Sequence, residues 1–325
     1  THTSGIQSYT GMEDYMDRMA IDLKPIEMVE YFKNQPMRFE PGTKWEYNNS
    51  GYFLLGYIIE QITGKTYGEY IEENFFKPLG MSNSFYGSDK RIIKNRADGY
   101  CYGENGFENA KPLSMTQPYS AGSIQSTVED LFKWHHALHS YKLVKKETLA
   151  KAFTRYKLAN GEETDYGYGW GLGIIQGSPT IDHGGGINGF KTMAMFLPEE
   201  DVFAAVFSNC ECSSPKEIAV KLAAHTIGKP INSQAEIKLD EEILKTYTGV
   251  YEITPEFSFK VTKEQEKLFV QATGQEKYEV FAETENKFFL KINDAQLEFI
   301  KDDSGNVTKA VLYQSGRKTE AKKIK

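Results

Sequence analysis

Residues 41–56 read PGTKWEYNNSGYFLLG, and residues 181–190 read IDHGGGINGF. In the first phrase a Pro41-Gly42 turn leads through Tyr47-Asn48-Asn49 into an apolar run from Gly51 to Thr63, closed by Gly64. A glycine just past such a run is a common helix C-cap, so a helix is predicted directly behind a tyrosine-bearing loop. In the second phrase His183 stands before three glycines. Glycines on a strand let another backbone approach closely, and a phenol or an imidazole can carry a proton to or from a reacting group. The chemistry of the chain is expected at these two phrases.

Around them the pattern alternates between helix and strand. Residues 25–35 predict a short amphipathic helix with Pro25 in its first turn. Residues 67–77 predict a second helix, ended by the Pro78-Leu79-Gly80 turn, and 86–120 predict loops with short strands. Ser126-Thr127-Val128-Glu129 has the form of a capping box opening a helix that runs to about His139. Tyr166–Ile175, Met193–Leu197 and Val202–Ser208 are dominated by apolar residues, as expected for a sheet covered on both faces. Ser214-Pro215 opens a closing helix that ends at Gly228. Beyond Lys229-Pro230 the texture changes to short aromatic and β-branched runs, such as Phe257-Ser258-Phe259-Lys260-Val261 and Lys267-Leu268-Phe269-Val270. About eight strands at this spacing predict an antiparallel sandwich or small closed barrel.

With 325 residues the chain has room for two domains. Its 40% hydrophobic and 26% charged residues are those of an ordinary globular protein. A formal charge of -7 argues against a nucleic-acid partner, which would select a basic face. No apolar run approaches the roughly 20 residues needed to span a bilayer. Cys101, Cys210 and Cys212 do not form a disulfide framework, and Cys210-Glu211-Cys212 is too closely spaced for a Cys-x-x-Cys redox or zinc pattern. The pair leaves the end of a strand on one side of the backbone, and packing thiols are the expectation.

The phrase Pro-Gly-x-x-Trp-x-Tyr-x-Asn-Ser-Gly-Tyr-x-x-Leu-Gly, together with His183-Gly184-Gly185, resembles two of the three active-site elements of the serine β-lactamase and penicillin-binding-protein superfamily. The likeness is to its class C, DD-peptidase and esterase branch. The resemblance implies an α+β fold: a β-lactamase/transpeptidase-like domain, with an antiparallel sheet flanked by helices plus a helical subdomain, over residues 1–230. A linker at 231–239 and a small antiparallel β-barrel at 240–325 follow. The opening of that barrel, LDEEILKTYTGVYE, is similar to a lipocalin-like domain appended to many members. The third element, Ser-x-x-Lys, carries the nucleophile and its lysine. Thr1 opens on THTSGI, which in the family follows the nucleophile helix, so an N-terminal segment is expected to be missing and to be needed to complete the fold.

By the same resemblance Tyr47 is the proton carrier, its phenol lowered by the lysine of Ser-x-x-Lys. Asn49, on the same side of an extended loop, holds a substrate amide or that lysine. His183 stands where the family has the first residue of Lys-Thr-Gly, beside Gly185, and the Gly186 N–H is one of two oxyanion donors. His183 would bring a hydrogen bond or partial charge to a substrate carboxylate. Gly122 and Ser123, in SAGSIQSTVEDL, and Trp170, in YGYGWGLG, are weaker cleft candidates, and Trp170 is better explained as a core aromatic beneath the site. Two other patterns carry no site. Ser213-Ser214-Pro215-Lys216 matches Ser-x-x-Lys literally, but stands after the His phrase and reads as a helix cap. His135 and His139 share a helix face at zinc-binding spacing without a third ligand, so helix packing explains them.

The expected function is a serine hydrolase forming an acyl-enzyme on an amide or ester, whether a D-amino peptide, β-lactam or carboxylic ester. A non-catalytic binder of cell-wall peptides is the alternative. No cofactor or metal is expected. The partner is a small-molecule or peptide substrate, and family resemblance favours a periplasmic or secreted location.

Overall fold

A computed structural model describes residues 1–88, 90–231, 236–255, 257–275, 277–291, 295–314 and 317–324; of the linker expected at 231–239, residues 232–235 lie outside the described residues. The chain divides into two compact units, Thr1–Gly173 with Thr180–Ala219 and Ile174–Pro179 with Val220–Lys325. Its helices are α1 (Tyr15–Arg18), α2 (Pro25–Phe32), α3 (Asn49–Thr63), α4 (Tyr67–Ile71, running on as a π-helical turn over Glu72–Phe76), α5 (Val128–His139), α6 (Lys146–Ala152), α7 (Pro215–Thr226) and α8 (Glu241–Thr246). Strands β1 (Phe85–Tyr86), β2 (Tyr100–Gly103), β3 (Gly106–Asn109) and β4 (Ile124–Gln125) form two small pairs, β1 with β4 and β2 with β3. The main sheet has four strands in sequence order: β5 (Gly171–Ile175), β6 (Ser178–Ile187), β7 (Phe190–Leu197) and β8 (Val202–Ser208). Antiparallel pairing sets Gly186 of β6 opposite Lys191 of β7.

Helix α3 positions the first expected motif. Asn48 is its N-cap: the backbone there is extended, and Asn48 Oδ1 accepts the Gly51 N–H at 2.8 Å. Gly64 ends the helix at φ 68°, where a side chain would be strained. The helix begins at Asn49, two residues before the apolar run, because Asn48 supplies the cap from within the motif. Asn49 therefore stands in the first helical turn and not on an extended loop. Phe53 is fully buried against Tyr9 and Tyr119, with ring centroids at 5.9 and 4.7 Å. Gly56 lets α3 meet the turn at Tyr119–Ala121. A Cβ there would stand 2.2 Å from Ser120 Oγ, whose hydroxyl donates to the Tyr52 carbonyl at 2.8 Å.

Two local expectations are corrected. Helix α5 is capped by Thr127, whose side chain accepts from the Asp130 N–H, and not by Ser126. Ser126 Oγ instead meets Ser84 Oγ at 2.8 Å. Cys210 and Cys212 are joined in a disulfide and are not free packing thiols. Their projection to one side of the chain explains it, since the Cα atoms are 5.1 Å apart, within bridging range. Cys101 is free. His135 is buried between rings, stacked on Phe203 at 4.1 Å and edge-on to Phe196 at 4.6 Å, with His139 beside it at 4.4 Å. Aromatic packing thus occupies the histidine pair.

In the second unit β9 (Gly249–Thr254), β10 (Phe257–Glu264), β11 (Lys267–Ala272), β12 (Lys277–Ala282), β13 (Lys287–Phe289), β14 (Ala295–Lys301), β15 (Val307–Gln314) and β16 (Arg317–Lys323) form a closed antiparallel barrel. Strand β16 returns to pair with β9, which removes both sheet edges. Tyr247, Tyr251, Phe259, Phe288 and Phe299 fill the interior. The buried phenols are satisfied internally: Tyr251 donates to the Tyr247 carbonyl at 2.7 Å and Tyr247 to the Glu285 carbonyl at 2.8 Å. Described residues thus make this barrel a packed core, as is general for eight-stranded barrels of this size.

The close approach at Gly56 yields a test. Gly56→Ala gains helix propensity but forces a methyl into Ser120. Overpacking of this kind costs about 1–3 kcal/mol, so the variant should unfold at lower urea concentration than the parent with an unchanged slope.

Candidate active site

Tyr47 and His183 meet. Tyr47 leaves the Pro41-Gly42 turn just before the α3 cap, and His183 sits in mid-β6; their ring centroids are 6.2 Å apart. The Gly184–Gly186 stretch is exposed, and a Cβ added at Gly186 would meet nothing within 4 Å, so the strand surface is open there. A polar groove of about 310 Å³ adjoins, lined by Ser8, Thr10, Arg38 and Glu46 together with Tyr47 and Asn49. On its rim Arg38 and Glu46 form a two-pronged ion pair, Nε to Oε1 at 3.1 Å and a terminal nitrogen to Oε2 at 3.2 Å.

Three further residues complete the cluster. The His2 ring lies against Tyr47 at 4.1 Å, Tyr166 at 4.8 Å and Tyr52 at 5.0 Å. His2 Nδ1 accepts the Asn48 backbone N–H at 3.0 Å, and His2 Nε2 is 3.2 Å from the Tyr166 hydroxyl. That hydroxyl is 2.8 Å from His183 Nε2, and His183 Nδ1 is 2.7 Å from the Gly184 carbonyl oxygen. His2 and Tyr166 are only 5% and 7% exposed. Burial lowers the His2 imidazole to about 4, and burial raises the Tyr166 phenol well above the ordinary range. The Tyr47 phenol, 46% exposed, is also raised by burial.

The other expected residues have different neighbours. Asn49 turns into the groove, its amide donating to Thr10 Oγ1 at 3.1 Å and its backbone N–H to Ser8 Oγ at 3.2 Å. Ser123 is buried and donates its hydroxyl to the Met115 carbonyl, and the adjoining Gly122 closes the Tyr119–Ala121 turn. Trp170 stacks on Trp134 at 5.7 Å and meets Phe153 edge-on at 5.7 Å. Ser213 of the Ser-x-x-Lys look-alike donates its hydroxyl to the Cys210 carbonyl at 2.9 Å. His2 and Tyr166 were visible only as members of the phrases THTSGI and YGYGWGLG. Nothing in their spacing shows that they touch.

A helix-flanked antiparallel sheet, with a tyrosine loop facing a glycine-rich strand, is the frame of a serine-type acyl-transfer hydrolase. The chain belongs to the β-lactamase family: the family model described as Beta-lactamase matches residues 1–226. Residues 233–323 match a domain of unknown function, DUF3471. The chain is 29% identical over 352 residues to penicillin-binding protein 4* of Bacillus subtilis, covering all of this chain and 77% of that protein. It is 32% identical over 146 residues to the teichoic acid D-alanine hydrolase of Staphylococcus aureus, covering 44% of this chain and 34% of that one. The octameric penicillin-binding protein homologue from Pyrococcus abyssi superposes with TM-score 0.64 at 27% identity, over 99% of this chain and 76% of that chain. The chain spans half or less of the length of the other curated relatives it matches. The fold is β-lactamase/transpeptidase-like, followed along the chain by a closed eight-stranded barrel. No helix among the described residues is long and apolar enough to cross a membrane.

Buried histidines set an acid limit. His2 and His135 are both lowered by burial to about 4, below the ordinary value of about 6.5. Between those values the unfolded chain binds protons that the folded one refuses, so stability is full above pH ~6.5 and is lost as pH falls towards 4. Melting temperature should drop across that window, and His135→Phe should flatten the drop.

Proposed function

We propose that this chain forms the proton-transfer and oxyanion side of a serine hydrolase that acylates itself on an amide or ester. The observation carrying the proposal is the meeting of Tyr47 and His183 at the open Gly184–Gly186 strand. Family membership supports the reaction type. In this reading the serine and lysine of a Ser-x-x-Lys pair come from polypeptide outside the 325 residues. Tyr47 takes the serine proton as the hydroxyl attacks the acyl carbonyl, and returns it to the departing amine or alcohol. The developing oxyanion is received by the Gly186 N–H. Gly185 keeps the strand surface low beside it, and Asn49 holds the substrate's polar arm in the groove.

Tyr47 can act this way only when a cation lowers its phenol, because burial alone raises it. That requirement supports a lysine partner. A D-aminoacyl substrate fits the reading, since one relative is a teichoic acid D-alanine hydrolase, and the Arg38–Glu46 rim offers both charges to a zwitterionic or amino-bearing end. Such substrates point to an extracytoplasmic location. Gly122, Ser123 and Trp170 serve as support behind the cleft.

The test is labelling with a fluorescent penicillin and a fluorophosphonate, with the modified residue mapped by mass spectrometry. The 325-residue chain should stay unlabelled, and the same chain carrying a preceding Ser-x-x-Lys segment should be labelled on that serine. Tyr47→Phe should lower the labelling rate about 100-fold, the usual scale of proton-transfer catalysis. Label on Ser213 would replace the nucleophile assignment. Absence of label from both forms, with retained binding of D-amino peptides, would leave a binding protein.

A further inference from the structure

Four hydrogen bonds join Asn48, His2, Tyr166, His183 and Gly184 in one line, and for neutral imidazoles chemistry fixes their direction. A backbone N–H can only donate, so the Asn48 amide at 3.0 Å requires a bare Nδ1 on His2 and puts the ring proton on Nε2. His2 Nε2–H then donates to the Tyr166 oxygen at 3.2 Å. The Tyr166 proton is thereby aimed at His183 Nε2, 2.8 Å away, which must accept. His183 carries its proton on Nδ1 and donates it to the Gly184 carbonyl at 2.7 Å, which can only accept. With His183 neutral, reversing any one bond sets donor against donor or acceptor against acceptor; a doubly protonated His183 would instead donate from both nitrogens, to the Gly184 carbonyl and to the Tyr166 oxygen.

We infer that His2 and Tyr166 are positioning residues of the cleft, holding His183 as the neutral Nδ1–H tautomer and backing the Tyr47 ring. The inference rests on the hydrolase reading given above and deepens it. With the line intact, both His183 nitrogens are engaged within the protein, and the imidazole offers substrate neither a free N–H nor a charge. Recognition at this edge falls to the strand amides, which suits the uncharged carbonyl of an ester or amide better than a free carboxylate. The line is buried over His2 and Tyr166, which keeps water from their mutual bond, and reaches the surface at Gly184. It also connects points 164 residues apart in sequence.

Long-range proton–nitrogen correlation spectra of the histidine-labelled chain at neutral pH read each tautomer directly. His2→Gln and His183→Gln spectra assign the signals. His2 should show a protonated Nε2 and His183 a protonated Nδ1. Tyr166→Phe should release His183 into the mixture found for a free imidazole, while leaving His2 protonated at Nε2. His2→Gln, whose amide N–H can replace Nε2–H, should keep the His183 tautomer, and His2→Leu should lose it. These two variants decide the matter should Tyr166→Phe fail to fold. A proton on Nε2 of His183 in the parent, or a His183 signal indifferent to Tyr166→Phe and His2→Leu, overturns the inference. In the form carrying the Ser-x-x-Lys segment, Tyr166→Phe should slow labelling at saturating probe about 10-fold, within the range that small misplacements cost, and His2→Gln should restore nearly all of it. Equal labelling rates in parent and Tyr166→Phe also overturn it. Should the parent take no label, the hydrolase reading fails by itself and the tautomers still decide the line.

Discussion

Asn48 ties together everything that makes a site here. It is 4% exposed, and each of its polar groups has a separate task. Its side-chain oxygen caps α3, its side-chain nitrogen donates to the Ile6 carbonyl at 2.5 Å, and its backbone N–H donates to His2. The first bond starts the helix that carries Phe53 into the core, the second fastens the N-terminal loop, and the third sets the imidazole under Tyr47. A buried polar group left without partners costs on the order of 1–3 kcal/mol. Asn48 therefore admits only an arrangement in which loop, helix and imidazole are all present, and Tyr47, one residue earlier, is held from both sides.

The two units close their cores by different means. The barrel abolishes its edges by pairing β16 with β9 and fills its interior with aromatic rings whose hydroxyls find backbone carbonyls. The first unit is less self-contained chemically. Its sheet presents the open glycine stretch of β6, and its loops bring the Tyr47 and Tyr166 phenols and the His2 imidazole to the His183 end of that stretch. Open glycine surface is poor packing material, so its retention on a central strand fits a surface that another backbone approaches.

The sequence made the broad architecture readable because its signals are local and periodic. Gly64 after an apolar run, turn-spaced aromatic strands after residue 240, and the Tyr47 and His183 phrases each announce themselves within a dozen residues. The pairing of Tyr47 with His183 was legible as well, through resemblance and not through spacing. What escaped depended on partners distant in the chain. Asn49 was expected on an extended loop, but Asn48 prefers to cap a helix, and that choice is settled by the Gly51 amide and the Ile6 carbonyl. Ser126 lost the α5 cap to Thr127 because Ser84 engages its hydroxyl. Cys210 and Cys212 looked like packing thiols because a one-residue gap matches no common motif. His2 and Tyr166 carried no sign of a shared role, since a hydrogen-bond direction has no sequence signature.

The neutrality of that hydrogen-bonded line bears on how Tyr47 could be switched. A cationic imidazole against the phenol would lower its proton affinity and attract substrate carboxylates at the same time. Here the Asn48 amide fixes a bare Nδ1 on His2, burial keeps His2 neutral down to about 4, and in the inferred line His183 is the uncharged Nδ1–H tautomer. The phenol accordingly stays protonated, raised by its own burial. Its activation is left to a cation on the 46% of its surface that remains open. In the proposed reaction, a base arranged this way is inert until a partner charge arrives, and the strand amides and the Arg38–Glu46 rim are what the acyl group meets. The separation places charge control on one face of Tyr47 and geometric control on the other, which a charged His183 would merge.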